Sequence, residues 1–452
     1  MTAVARAWGN LTTAGKVILP LAVIVLLIGP IATALIAIYA GPFIVDLAIA
    51  NLPIVRFLFA ATVILLITPP MAFVIIYLEM KLIALMNLRV GPDRVGPWGT
   101  LLSTMHGLKV LAKEDFTPTG ADGIVFTWAP VVVFLATVMS FLVIPFAPGG
   151  LIAADLNIGL LYLFAVGGLT VVGLLMAGWS SFNKYSLLGG LRSAAQVVSY
   201  EIPLTLSVVG LILLTGTMSL NTIVQNQSGW FFDWYVFRQP LGFLIFFIAA
   251  TAEANRTPFD LTEADSEIVA GFATEYSGMR FGFFFFAEYV NVFVISALAV
   301  TLFLGGWNAP FALPFKIDIA IDVGSLGILL LIIIAAAPIV GTLILSTPFL
   351  LARSSMPAWQ ALVLGFVAFN VIVIGLLIGV AYMALPWVAG LMWFLIKTFT
   401  LVVVFVWMRG TLPRVRIDQL MGFAWKWMLP AALLNLFVTA AALTILKPAA
   451  GA

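Results

Sequence analysis

The stretch EANRTPFDLTEADSEIVAGFATEYSGMRFGFFFFAE, residues 253–288, decides what kind of molecule this is. It gathers Glu253, Asp260, Glu263, Asp265, Glu267, Glu275 and Glu288 in a chain of 452 residues of which only 9% are charged. Apolar runs flank it, Pro240 to Ala254 before and Phe281 to Leu304 after. It therefore reads as an acidic segment leading from one membrane helix into the next. An ionised side chain at the centre of such a helix costs at least ~2.5 kcal/mol, so acids at this position pair, face water or carry protons.

Outward from that segment the composition agrees. With 63% hydrophobic residues and a mean hydropathy of +1.18, the chain is far from a soluble globule, in which about 25% of residues are charged. Apolar stretches long enough to span, roughly 17–25 residues, predict an all-α polytopic bundle of about eleven spans. They lie near Val17 to Ala40, Phe57 to Leu78, Ile124 to Phe146, Gly159 to Trp179, Ser193 to Thr215, Pro240 to Ala254, Phe281 to Leu304, two between Gly324 and Pro386, Gly390 to Met408 and Trp425 to Leu446. Pro20, Gly29-Pro30 and the lack of a small-x-small cleavage site make the first an uncleaved helix rather than a signal peptide.

Basic residues concentrate in cytoplasmic loops. With the N-terminus inside, alternate loops hold Arg6, Lys16, Lys81, Arg89, Arg94, Lys109, Lys113, Lys184, Arg192, Arg256, Arg280, Arg353, Arg409, Arg414, Arg416 and Lys426, while the opposite side keeps Arg56, Arg238, Lys316 and Lys447. The acidic segment then faces the cytoplasm. No cysteine is present and His106 is the only histidine, which removes disulfides, thiolate metal sites, iron–sulfur ligation and bis-histidine haem. Gly15-Lys16 is followed by Val17 and lacks the upstream glycine of a phosphate loop. Neither a metal, a nucleotide nor a nucleic-acid partner is expected.

Four loops carry the distinctive sequence. The first runs from Glu79-Met80-Lys81 through Asn87-Leu88-Arg89-Val90-Gly91-Pro92-Asp93-Arg94-Val95-Gly96-Pro97 to Lys113-Glu114-Asp115. Within it Leu101, Met105, Leu108 and Ala112 recur at helical spacing, predicting an amphipathic helix in the membrane interface between Thr100 and Lys113. The second, Ala177 to Arg192, leads to Gln196 and Tyr200-Glu201, with Glu201 about two turns into its span. The third is Glu253-Ala254-Asn255-Arg256-Thr257-Pro258-Phe259-Asp260-Leu261-Thr262-Glu263-Ala264-Asp265-Ser266-Glu267, and the fourth is Arg409-Gly410-Thr411-Leu412-Pro413-Arg414-Val415-Arg416-Ile417-Asp418-Gln419-Leu420.

Each has a plainer reading. Glu79, placed at a helix end, either snorkels or serves the adjoining loop. Glu201 and Glu288 either carry protons or make structural hydrogen bonds. Thr262-Glu263-Ala264-Asp265 fits a capping box, and Glu263 and Glu267 fit a solvated face. Arg256 and Asp260 can tie their loop together, and His106 fits a polar face. Lys397, in mid-span, is paired or near water, serving proton transfer or neutralising an acid.

At the four loops the chain closely resembles the H subunit (mitochondrial subunit 1) of proton-pumping NADH:quinone oxidoreductase, respiratory complex I. The likeness covers about Phe57 to Gly306 and Trp393 to Leu446. It implies one integral membrane domain over residues 1–452: a family core of eight spans in 57–312 and 387–446, an N-terminal extension in 1–56 and an inserted helical hairpin in 313–386. It implies quinone, ubiquinone or menaquinone, as the substrate. FMN and iron–sulfur clusters would sit only in partner subunits. The expected partners are peripheral-arm subunits at the quinone site, small membrane subunits and the lipid bilayer, in a bacterial cell membrane.

The resemblance assigns Glu79, Lys81, Arg89, Arg256, Phe259 and Asp260 to a quinone chamber, with Met105 and Leu108 at the access for the quinone tail. It assigns Glu201, Glu253, Asp260, Glu263, Asp265, Glu267, Glu275 and Glu288 to proton transfer and coupling, as expected of close acids whose pKa values repulsion and burial push apart. Met80, Asn87, Asp265 and His106 depart from the usual arginine, glutamine, glutamate and acid of the family. Two other readings remain open: a homologous subunit of a membrane-bound hydrogenase, and a stand-alone proton or cation transporter.

Overall fold

A computed structural model describes residues 52–148, 152–260, 270–310 and 386–446. Nearly all of these belong to one compact unit, residues 57–315 with 386–452. The chain is all-helical there, with α1 Leu52–Met86, α2 Leu102–Leu111, α3 Gly123–Ser140, α4 Gly159–Ser180, α5 Lys184–Thr215, α6 Pro240–Glu253, α7 Gly278–Phe303 and α8 Pro386–Thr411. The short α9 Ile417–Phe423 continues through one π turn, Ala424–Met428, into α10 Leu429–Leu446. Among the described residues seven helices are long and apolar enough to cross a membrane, and α6 is a shorter apolar one. The first predicted span and the predicted pair between Gly324 and Pro386 lie outside the described residues.

Helices α1, α3, α4, α5, α6, α7, α8 and the α9–α10 rod run alternately up and down, so their connections gather at two ends. At the first end the Asp122 N–H bonds Ser180 O, the Ser277 hydroxyl bonds Glu114 O and the Val415 N–H bonds Pro258 O. At the second, the Leu160 N–H bonds Met218 O and Gln227 donates to Thr301 and Leu302 carbonyls. Among the described residues the basic loops with Arg89, Lys113, Lys184, Arg256 and Arg414 fall at the first end.

Helix α7 is the hub, with nearly every residue from Tyr289 to Phe303 buried. Outer helices invert the pattern of a soluble protein: α4 buries Leu163, Val166 and Gly173 and exposes Leu161, Leu169, Val172 and Leu175. Apolar faces turned outward are faces for lipid. Between helices, packing rests on small residues, because hydrocarbon tails compete with any leucine contact. A Cβ on Gly178 of α4 would lie 3.1 Å from Gly190 Cα of α5, so the two helices cross with their backbones nearly touching.

Two expectations need correction. Helix α1 does not end at Leu78 but runs to Met86, although Pro69 and Pro70 remove the N–H groups that would bond Leu65 and Leu66. Glu79 is therefore inside a helix. Helix α5 begins at Lys184, not Ser193, because Asn183 caps it by accepting from the Tyr185 N–H at 2.9 Å and Gly189 and Gly190 seat its first turns against Gly271 and α4. Most of the second loop is thus helix, and Glu201 lies about five turns in rather than two.

Helix α6 has 14 residues, about 21 Å, less than the ~30 Å of a bilayer core. Its chain continues as irregular backbone, which is tolerated at such depth only when buried in protein. Gln196 of α5 does that work: its side-chain amide donates to Ala252 O at 2.8 Å, Asn255 Oδ1 at 3.1 Å and Phe259 O at 2.7 Å.

Candidate functional site

The irregular segment after α6 is held from both sides. Gln196 pins it from α5, and Tyr200 one turn further packs its ring 5.7 Å from that of Phe259 while donating its hydroxyl to Leu420 O at 2.9 Å. From above, Arg414 meets Asp260 Oδ2 at 3.1 Å, and the Val415 N–H bonds Pro258 O at 3.0 Å. Asn255 takes a left-handed conformation, φ 50°, and Thr257–Pro258 is cis. Third and fourth loops thus form one layer at the first end of the bundle, with Asp260 buried in it.

Beneath that layer lies a node of charge. Glu79 of α1 is 8% exposed; it pairs with Arg409 at the end of α8 and lies 3.6 Å from Arg256 Nη1. This corrects the snorkelling alternative: the side chain points inward, to two guanidinium groups. Arg256 lies 4.1 Å from the centre of the Tyr289 ring of α7. Burial works against its charged form, but Glu79, with Tyr289 and Glu288, outweighs it and holds the Arg256 guanidinium above its ordinary range. Removing one partner from such a buried pair costs about 3–5 kcal/mol, because the other charge is stranded.

Glu79 also borders the surface. With Met80, Ile83, Ala84, Asn87, Arg89 and Pro92 it lines an open groove of about 420 Å³, within the ~300–1,000 Å³ typical of small-molecule sites. Lys81 stands at its edge, its stem 3.1 Å from where a Gly91 Cβ would be. Helix α2 lies against α1 and α7 through Gly107 over Phe73 and Val110 over Gly282. Its Met105 and Leu108 are 51% and 54% exposed. An apolar face turned away from the protein on a ten-residue helix suits the membrane interface. His106 is exposed on the same helix.

On the other side of Arg256 three half-buried acids come together. Glu253, the last residue of α6, and Glu201 of α5 interact electrostatically. Both reach toward Gly167-Gly168 of α4, where added Cβ atoms would lie 3.7 Å from Glu253 Oε1 and 4.0 Å from Glu201 Oε1. Glu253 and Glu288 line one cavity of about 30 Å³ together with Thr137, Thr170 and Asn291. A second, of about 20 Å³, lies between Glu253, Ser140, Gly167 and Asn291. Roughly 10–15 Å³ accommodates a water with polar partners, so each has room for water beside the carboxylate. A third small cavity beside Glu288 reaches Ala270.

Other predicted residues stand apart. Glu275 accepts a 2.6 Å hydrogen bond from Asn183, tying the start of α5 to the segment before α7. Burial pushes the neighbouring Tyr276 phenol up to about 12, and it donates to Phe126 O. Glu263, Asp265 and Glu267 lie outside the described residues. Lys397 has no carboxylate within ion-pair distance among the described residues; its ammonium bonds the carbonyls of Leu304, Gly306 and Asn308. Among the described residues no three metal-ligating side chains come together.

Sequence reasoning missed Tyr289, Asn291, Thr137 and the Gly167-Gly168 pair, and gave Gln196 and Arg409 no role. Asn291 was within reach, being three residues from Glu288 and so on the same helix face. Paired glycines in an apolar span were a signal of close approach. Nothing in the sequence marks Arg409 as the partner of Glu79.

Comparison with known proteins places this arrangement in a family. The NADH dehydrogenase family model matches residues 58–440. The NADH-quinone oxidoreductase H subunit of Dehalococcoides mccartyi strain 195 is 42% identical over 365 residues, 81% of this chain and 80% of the relative. The corresponding H subunit of Bacillus cytotoxicus is 41% identical over 387 residues, 85% and 93% of the two chains, and the second H subunit of Solibacter usitatus is 41% identical over 402 residues, 87% and 97%. The chain is a member of the NADH dehydrogenase family.

Proposed function

We propose that the chain is the membrane subunit of a bacterial NADH:quinone oxidoreductase at which a quinone headgroup is reduced near Glu79 and the resulting charge is passed to half-buried, proton-carrying acids. The observation that carries the reading is the position of Glu79. One side of it lines the groove with Arg89, and the other holds Arg256, which also feels Glu288 at the edge of the Glu253 cavity. The groove, the guanidinium node and the acid cavity are consecutive.

The chain lacks cysteine and has one histidine, so it offers no iron–sulfur ligand set. Electrons come from a peripheral-arm partner, and FMN and the clusters belong to such partners. A quinone that gains two electrons needs two protons to become quinol. Negative charge arriving beside Glu79 competes for Arg256 and Arg409. Drawn toward it, Arg256 supports the ionised form of Glu288 less, and a proton is redistributed among Glu288, Glu253 and Glu201. Asp260 and Phe259 fix the loop that carries Arg256. Met105 and Leu108 border the path of the isoprenoid tail, ubiquinone or menaquinone. The basic first end faces the cytoplasm, where the peripheral partners dock.

A photoreactive quinone analogue added to the assembled enzyme should crosslink within residues 79–92, be displaced by excess quinone and lose its label when a quinone-site inhibitor is present. Labelling confined to partner subunits would contradict the reading, and turnover indifferent to such inhibitors would favour the hydrogenase alternative.

A further inference from the structure

We propose that Lys397 is a fixed cation that closes the far half of the bundle to protons, so that the acid cluster exchanges protons with one face only. The proposal deepens, and rests on, the reading of Glu253, Glu201 and Glu288 as a proton path. Lys397 lies eleven residues after the Pro386 start of α8, about 16 Å along the helix. Its ammonium donates to Leu304 O at 2.7 Å, Gly306 O at 3.1 Å and Asn308 O at 2.6 Å, and sits 4.0 Å from the Trp234 ring centre. Three acceptors call for three N–H donors, and only the protonated amine has three. These carbonyls close the C-terminal end of α7, where the helix dipole favours a cation, and the aromatic face adds to the attraction. Among the described residues no carboxylate is within ion-pair distance of it.

The cradle is itself braced. Gln227 Oε1 accepts from the Gly305 N–H at 3.0 Å, Gln227 Nε2 donates to Thr301 and Leu302 carbonyls, and Asn308 Nδ2 donates to Val224 O at 2.9 Å. Between it and the acids, α7 is buried and apolar from Val292 to Phe303 except for Ser296 and Thr301, whose hydroxyls bond the carbonyls of Val292 and Leu298. Along α7 a proton leaving the Glu253 cavity toward the second end thus meets no free carrier and then the Lys397 ammonium. Fixed cations exclude protons in this way from water-conducting pores.

The test uses the assembled enzyme in sealed vesicles, idle without NADH, and follows the decay of an imposed pH gradient. Lys397→Gln removes the charge and keeps an N–H donor; the gradient should decay several-fold faster than with the parent enzyme. Lys397→Arg, still charged, should be as tight as the parent, and adding Glu253→Gln to Lys397→Gln should restore tightness. A Lys397→Gln enzyme as tight as the parent overturns the proposal, and so does a leak that survives the added Glu253→Gln, which would report loosened packing. Lys397→Met carries the same comparison if the glutamine variant does not assemble. Failure of both beside a normally assembled Lys397→Arg enzyme would assign the charge to folding and overturn it too. Unaltered pumping by Glu253→Gln alone removes the proton path itself, whereas a tight Lys397→Gln vesicle removes only the seal.

Discussion

Arg256 stacks over Tyr289, its guanidinium 4.1 Å from the ring centre, and this contact joins the loop after α6 to the central helix α7. Tyr289 adjoins Glu288 in sequence, and Glu79 approaches the same guanidinium from α1. One side chain therefore touches both the groove's acid and the helix that carries Glu288.

Arg256→Lys keeps the charge but loses the planar stack, and the two residues are not interchangeable at such a site. A desolvated cation–π contact is worth about 2 kcal/mol, so quinone reductase activity should fall roughly 10- to 30-fold. NADH oxidation with a soluble electron acceptor should stay near the parent rate. Parent-like quinone reduction by the lysine variant would show that charge alone suffices at this position.

Gly167 is a test of space. An alanine there would bring its methyl 3.7 Å from Glu253 Oε1, an ordinary contact, so Gly167→Ala should assemble and retain most activity. Gly167→Val adds two methyl groups toward a cavity of about 20 Å³. Its proton pumping should drop several-fold more than that of the alanine variant, measured per NADH oxidised. Equal pumping by the two would argue that the cavity plays no part.

Met105 and Leu108 expose their side chains from α2, at the depth of acyl chains if α2 lies in the interface. Charged substitutions there should weaken turnover with long-chain quinones several-fold more than with short-chain analogues, read as separate KM values. An equal effect on both would reduce α2 to a packing element.

Orientation is testable because the chain has no cysteine of its own. Asp93 at the first end and Ser228 at the second are both exposed, whereas the neighbouring Gln227 is fully buried and unsuitable. Asp93→Cys should react with an impermeant thiol reagent from the cytoplasmic side and Ser228→Cys from the opposite side. Reaction of both from one side would overturn the topology.

Span positions were legible because burial in lipid demands continuous apolar runs, and the short α6 showed as a run that was too brief. Helix ends were not, since Pro69-Pro70 and the polar Lys184-to-Arg192 segment resemble breaks while tertiary contacts carry the helix through them. Glu201, Glu253 and Glu288 stood out as rare acids in apolar surroundings. Their relationship did not, because it depends on Gly167-Gly168 of a helix that carries no charge. Lys397 was conspicuous too, but its partners are backbone carbonyls of Leu304, Gly306 and Asn308, and a carbonyl leaves no mark in a sequence.

The central claim is that protons move through the Glu253 cavity when quinone is reduced, and Glu253→Gln addresses it most directly, keeping the shape of the side chain and removing its titratable group. The assembled variant should oxidise NADH with a soluble electron acceptor at the parent rate while losing quinone reduction coupled to proton pumping. Pumping at the parent ratio of protons to electrons by that same enzyme would contradict the account.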